Sequence, residues 1–262
     1  MTKKIVCIHA HPDDAELFAA GTLSILAGKG HAITIVTMTP GDCGSKHRTA
    51  SEIAAIRRRE AAAAAALIGA QYICAEFRDL AIFETDEARR RVTVLLRRIQ
   101  PDLVITASPV DYHCDHETTS RLVRDACFAA PAPNYDTSPW GDWPPMAAIP
   151  HLYFADPVEG LDRDGNPVPP HFVVNVTSQM DMKRSMFGCH ESQRQWLLEH
   201  HGMEDYMKTL DEWAGKAGSH AGFAFGEGFR HYRCHPYPLS PLLEDLLGPE
   251  SIGRPAAASG GH

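Results

Sequence analysis

Residues 4–30 read KIVCIHAHPDDAELFAAGTLSILAGKG. The run KIVCIHA is short, apolar and β-rich, and AELFAAGTLSILAGKG resumes with helical spacing and a glycine-containing stop. At the join stand His9, His11, Pro12 and two adjacent carboxylates, Asp13 and Asp14. Neighbouring carboxylates repel, so a pair of them at a strand end calls for a cause. One cause is local: Asp13 and Glu16 have capping-box spacing, and Pro12 helps to stop the strand. That reading leaves His11 and the second aspartate without a role. His9, inside the apolar run, reads as a core histidine.

The same strand-to-helix alternation continues downstream. HAITIVTMTP (31–40) reads as strand, ended by the turn-rich PGDCGSKHR, and ASEIAAIRRREAAAAAALIGA (50–70) is the clearest helix. QYICAEF, DEARRRVTVLLRRIQ, PDLVITASP and HETTSRLVRDACFAA then alternate strand, helix, strand, helix. Such spacing predicts βαβ units: an α/β fold with a mostly parallel sheet, helices on both faces and ligands bound at the strand C-terminal edge. HAHPDD, PGDCG and SPVDYHCDH all follow strands, so the topology gathers them on that edge. Beyond residue 129 come a proline-rich loop with Trp140 and Trp143, two further strands (HLYFADP and HFVVNVT), and a mainly helical stretch over 178–218. The expected organisation is one domain over 1–247 and a disordered tail over 248–262.

Composition excludes several classes. The chain has 262 residues, 44% hydrophobic and 22% charged, with net charge −8 and no lysine-rich block, which gives nucleic-acid binding no electrostatic support. There is no apolar run of membrane-spanning length, and the histidines and aspartates break any signal-peptide pattern. Seven scattered cysteines without a CxxC pair imply reduced thiols in a cytoplasmic protein.

The second polar cluster, DYHCDHETTS, contains His113, Asp115 and His116. On its own it reads equally as an acidic N-cap at Asp115. Combined with the first cluster, His11, Asp14 and His116 make a two-histidine, one-carboxylate set, suited to Zn²⁺ with a position left for water, and equally to Fe²⁺ or another divalent metal. A bound metal would make hydroxide available near neutral pH. Asp13, beside the ligand Asp14, is the candidate general base. His113, protonated, would stabilise the oxyanion and protonate the leaving nitrogen, with Asp115 orienting it and keeping it charged.

AHPDDAE after a first strand, with HCDH downstream, resembles the LmbE/PIG-L family of metal-dependent de-N-acetylases. TPGDCG, RRREAAAAAALIGA, FRDL, KRSMFGCHESQ and GEGFR resemble its further motifs. The resemblance implies a Rossmann-like three-layer sandwich and a zinc hydrolase that removes acetyl from an N-acetylated amino sugar or sugar conjugate. It places zinc at His11, Asp14 and His116, the base at Asp13, and the transition-state pair at His113 and Asp115. It also implies substrate contacts at Arg57, Asp79 and His190, with Gln193 lining the pocket, and a homo-oligomer, trimer or hexamer. Asp111 stands where some sugar deacetylases of the family have tyrosine, and the Trp140/Trp143 loop is expected to shape the pocket. Two other readings stay open: a metal-dependent amidase for another small amide or thiol conjugate, and a non-catalytic nucleotide-binding module. The latter is weakened by carboxylates where a phosphate loop would need glycines.

Overall fold

A computed structural model describes residues 1–201 and 206–255. Eight strands form one sheet: β1 (Lys4–His9), β2 (Ala32–Thr37), β3 (Gln71–Cys74), β4 (Leu103–Thr106), β5 (His151–Ala155), β6 (Phe172–Asn175), β7 (Gly226–His231) and β8 (Ile252–Gly253). Their order is β3-β2-β1-β4-β5-β7-β6-β8. Pairing is parallel from β3 through β5, while β7 runs antiparallel to both β5 and β6 and β8 antiparallel to β6. The helices are α1 (Asp14–Gly28), α2 (Ala50–Ala66), α3 (Asp86–Ile99), α4 (Cys114–Ala129), α5 (Met180–Phe187), α6 (Glu191–His201), α7 (Tyr206–Ser219) and α8 (Leu242–Leu247).

The strand sequences explain the three layers. Ile5, Cys7, Ile33, Ile35, Leu103 and Ile105 point into one core with α1, whereas Val6, Ile8, Val36 and Val104 point into the other with α3 and α4. Both faces of the sheet are buried, so its strands read as continuous apolar runs instead of alternating ones. The α/β sandwich with a mostly parallel sheet is the architecture found. β1 has β2 on one side and β4 on the other. Successive strands are added on one side of β1 up to β3 and on its other side from β4, so the loops leaving β1 and β4 flank a crevice.

Two local expectations are corrected, and one strand had no expectation. The capping box does not form at α1: Asp13 is its N-cap with φ 96° and no side-chain cap hydrogen bond. A complete box occurs instead at α2, where the Thr49 hydroxyl accepts from Glu52 N and Glu52 accepts from Thr49 N at 2.8 Å. The strand without an expectation is β7, whose glycine-rich sequence GEGFRH carries a weak strand signal. Glycine is needed there for close approach. A Cβ at Gly228 would fall 1.8 Å from Asp156 Oδ2, and one at Gly226 would fall 2.8 Å from Gly218 Cα of α7. The second correction is that part of the expected disordered tail is structured: Pro249–Ser251 form a 3-10 turn and β8 pairs with β6. Residues 256–262 of that tail lie outside the described residues.

A buried ion pair ties the late elements to α1. Lys183 Nζ of α5 donates to Glu227 Oε1 of β7 at 2.6 Å and to Leu17 O at 2.8 Å. The Glu227 carboxylate also accepts from Gly21 N at 2.9 Å and Thr22 N at 2.8 Å. The lysine and glutamate side chains are 1% and 2% exposed, so removing one charge strands the other. Lys183→Met is expected to cost about 3 kcal/mol in urea unfolding, and a loss below about 1 kcal/mol would show the pair to be energetically idle.

Candidate metal centre

The loops after β1 and β4 deliver the two histidine–aspartate clusters to one point. Asp14 Oδ2 lies 3.5 Å from His11 Nδ1 and 3.4 Å from His116 Nε2, and accepts His11 N at 2.8 Å. Each imidazole is held from behind by carboxylates. His11 Nε2 lies 3.2 Å from Asp79 Oδ1 and 3.3 Å from Asp115 Oδ2, and His116 Nδ1 lies 3.2 Å from Asp111 Oδ1. A carboxylate on one ring nitrogen fixes the tautomer and turns the other nitrogen's lone pair outward, as second-shell groups do at metal sites. Both free nitrogens face the same Asp14 oxygen.

The electrostatics agree with a cation site. Burial would lower the His116 pKa, but Asp14 and Asp111 raise it to about 9. Burial is likewise outweighed at His11, where Asp115, Asp14 and Asp79 raise the pKa well above the ordinary value. At Asp14 burial pushes upward, yet His116 and His11 hold the carboxyl well below its usual range. The surrounding carboxylates create a negative field that a divalent ion would neutralise. The donors are imidazole nitrogen and carboxylate oxygen, a set that fits zinc or iron. His11, His113 and His116 also bring one nitrogen each within 4.8 Å of one another, as do His11, Asp79 and Asp115 with their own donor atoms. The cluster is therefore able to hold a metal ion.

Asp13 lines the same cavity as this cluster but has its own partners. Its φ of 96° is unusual for a residue with a side chain. Asp13 Oδ2 accepts from the Tyr206 hydroxyl at 2.6 Å, and Oδ1 lies 3.8 Å from Arg57 Nη2. Burial raises its pKa to about 6, with Arg57 opposing. Arg57 is buried and donates to Gly41 O at 3.3 Å and Pro12 O at 3.1 Å. It is thus a fixed cation behind Asp13, with two guanidinium nitrogens committed to backbone.

His113 and Asp115 relate differently from the expectation. His113 is the N-cap of α4, its Nδ1 accepting from the backbone N–H of Asp115 at 3.2 Å. The Asp115 carboxylate goes to His11 and to Leu80 N. An accepting Nδ1 leaves the proton on Nε2, so His113 is a neutral donor. Burial and the charges of His11 and His116 lower its pKa, in agreement. The Asp115 carboxylate thus supports His11, while its backbone N–H holds His113.

A cavity of about 320 Å³ lies over the cluster, and its walls include Asp13, Arg57, Asp79, Tyr112, His113 and Gln193. Leu17, Phe18, Trp196, Tyr206, Thr209 and Trp213 supply much of the rest. His190 does not line it: its ring is fully buried behind α1, 3.4 Å from Glu16 Oε2. Trp140 and Trp143 are also absent from the lining; their loop is pinned to Arg97 of α3 through Ala130 O, Ala132 O and Thr137 Oγ1. His9 is buried, stacks on Phe18 at 5.8 Å, and burial lowers its pKa to about 4. Tyr206 and Trp213 were not singled out in the sequence. Their i, i+7 spacing on α7, with Thr209 at i+3, marks one helix face and was the available signal.

Residues 6–127 match the family model described as PIG-L, GlcNAc-PI de-N-acetylase. The chain is 27% identical over 244 residues to diacetylchitobiose deacetylase of Thermococcus kodakarensis, covering 87% of this chain and 82% of that protein. It is 25% identical over 195 residues to 4-oxalmesaconate hydratase of Pseudomonas putida, covering 71% and 72% of the two. Among solved structures, the N,N'-diacetylchitobiose deacetylase from Pyrococcus horikoshii superposes with TM-score 0.76 at 27% identity, covering 92% of this chain and 88% of that one.

Proposed function

We propose, from the premise that residues 6–127 form a PIG-L family domain, that this protein is a metal-dependent N-deacetylase acting on an N-acetylated amino sugar or sugar conjugate. The observation that carries the reading is the pair of carboxylate-backed imidazoles turned onto Asp14, with Asp13 set apart beside them. The deacetylase relatives support the acetamide as the bond cleaved.

In this proposal His11, Asp14 and His116 hold a divalent metal, most simply Zn²⁺. When bound, that metal polarises the acetamide carbonyl and lowers the pKa of water toward about 7. Asp13 takes the proton of the attacking water, helped by a pKa near the working range. His113 donates from Nε2 to the developing oxyanion, as a neutral imidazole. The proton held by Asp13 passes to the leaving nitrogen, so amide and water become amine and acetate. Arg57 holds Asp13 in place, and Asp79 orients His11 instead of binding sugar hydroxyls directly.

The hydratase relative points to another activity on the same scaffold. Its substrate is named as an organic acid, and carboxylates of such an anion that do not reach the metal require further unengaged cations. Among the described lining residues Arg57 is the one arginine or lysine, and its side chain already serves Gly41 O and Pro12 O. An aromatic and acidic wall suits a neutral acetamido sugar better. A nucleotide-binding role is disfavoured because the start of α1 carries the buried carboxylates Asp13 and Asp14. The test is amine release from N-acetylglucosamine derivatives and from simple amides, with and without chelator. Chelator-sensitive release from the sugars supports the proposal, and release confined to simple amides selects the amidase alternative. No release from either would overturn both.

Tyr206 gives a pH prediction. Its hydrogen bond favours ionised Asp13, so losing it raises the Asp13 pKa. A base must be deprotonated to act, so the acid limb of kcat/KM moves to higher pH in Tyr206→Phe, with a loss of less than about tenfold on the alkaline plateau. A limb that stays in place, or moves down, would detach Asp13 from the profile.

A further inference from the structure

A second cavity, of about 230 Å³, backs onto the first. Leu17, Phe18 and Trp213 line both, and in the loop after β5 Val158 faces the first cavity while Pro157 and Glu159 face the second. The partition is therefore a few apolar side chains thick, with Phe18 and Trp213 stacked at 6.4 Å between ring centroids. Leu17, Phe18 and Trp213, common to both linings, are the boundary between the two cavities.

The second cavity has an apolar, preformed wall. Pro157, Pro167, Pro169 and Pro170 line it, and proline rings lock the backbone there. Its polar groups are largely engaged elsewhere. Glu227 is held by Lys183 and by Gly21 N and Thr22 N, and Lys216 Nζ donates to Glu159 O at 2.6 Å. Apart from Asp156, whose Oδ1 lies 3.9 Å from Arg230 Nη1, and His220, what remains for a guest is apolar surface beside the aromatic partition.

We propose that this cavity is an aglycone subsite. It takes an aryl or short alkyl group joined to the amino sugar whose acetamide lies at the metal centre, the link passing the boundary at Leu17, Phe18 and Trp213. The proposal rests on the deacetylase reading and narrows it to apolar glycosides over free sugars. The common wall selects this occupant: a group attached to a sugar in the first cavity is already beside the second.

The test compares phenyl and methyl glycosides of N-acetylglucosamine as substrates of the metal-loaded enzyme. The phenyl glycoside is expected to show a kcat/KM higher by on the order of tenfold, the scale for burying one ring. Ala217, which lines only the second cavity of the two, is the site to fill. Ala217→Phe is expected to bring the ratio close to unity, with Ala217→Leu as the smaller replacement should the first misfold. Equal rates in the wild type, or an undiminished phenyl preference in the filled variant, would overturn the subsite. Calorimetric titration with phenyl β-glucoside, which has no acetamide, separates this from the parent reading. Binding lost in the filled variant supports the subsite even if neither glycoside is deacetylated, and absence of binding with active deacetylation removes the subsite alone.

Discussion

Asp13→Asn is expected to lower kcat/KM by about 10²–10⁴-fold while leaving the metal content of the protein unchanged. The substitution keeps size and shape and still offers an oxygen to the Tyr206 hydroxyl, so it removes chiefly the ability to accept a proton. The metal is expected to stay because the Asp13 carboxylate is engaged by Tyr206 and Arg57 and belongs to none of the donor groupings among the described residues. Elemental analysis and amine release on the same preparation check both halves. Activity within about tenfold of wild type would remove Asp13 as the base. Metal loss would instead make it part of the binding set.

His116→Ala is expected to lose the metal and the activity together. The change deletes one of the two imidazoles aimed at Asp14 and leaves Asp111 without its ring partner. Asp111 would still accept from His113 N and Val158 N, so the loop after β4 has backbone anchors that do not depend on His116. His113→Ala is the discriminating control. If Asp14 completes the site, that variant keeps its metal and loses about 10²–10³-fold in rate, the scale for one oxyanion donor. If the three-histidine grouping of His11, His113 and His116 holds the ion instead, both histidine variants lose it. Metal retained in full by His116→Ala would exclude both groupings.

The parallel half of the fold was legible because its strands are apolar runs bounded by turn residues and its helices carry their own periodicity. HAHPDD and DYHCDH could be placed on one edge before any coordinates, since consecutive parallel strands must end on the same side. What stayed hidden depends on contacts between distant residues. Nothing local in Asp115 shows that its carboxylate reaches His11 while its N–H caps onto His113. Asp111 looked like a missing tyrosine and is the carboxylate behind His116. His190 carried a motif resemblance to the pocket, yet pairs with Glu16 behind α1. β7 escaped because the glycines that permit Asp156 and α7 to approach also erase strand propensity.

The place of β7 in the sheet bears on how the molecule is made. Synthesis runs from the N-terminus, so every proposed metal ligand has emerged by residue 116, long before residues 226–231. Until β7 arrives, β5 presents an open ladder edge, β6 has no neighbour towards β5, and Lys183 has no counter-ion. Tyr206, which fixes Asp13, also comes late. A nascent chain on the ribosome therefore holds the donors before it holds the seated base. A product released short of residue 226 would keep the ligand residues but expose a sticky strand edge, making it a fragment for chaperones and proteases and not a slow enzyme.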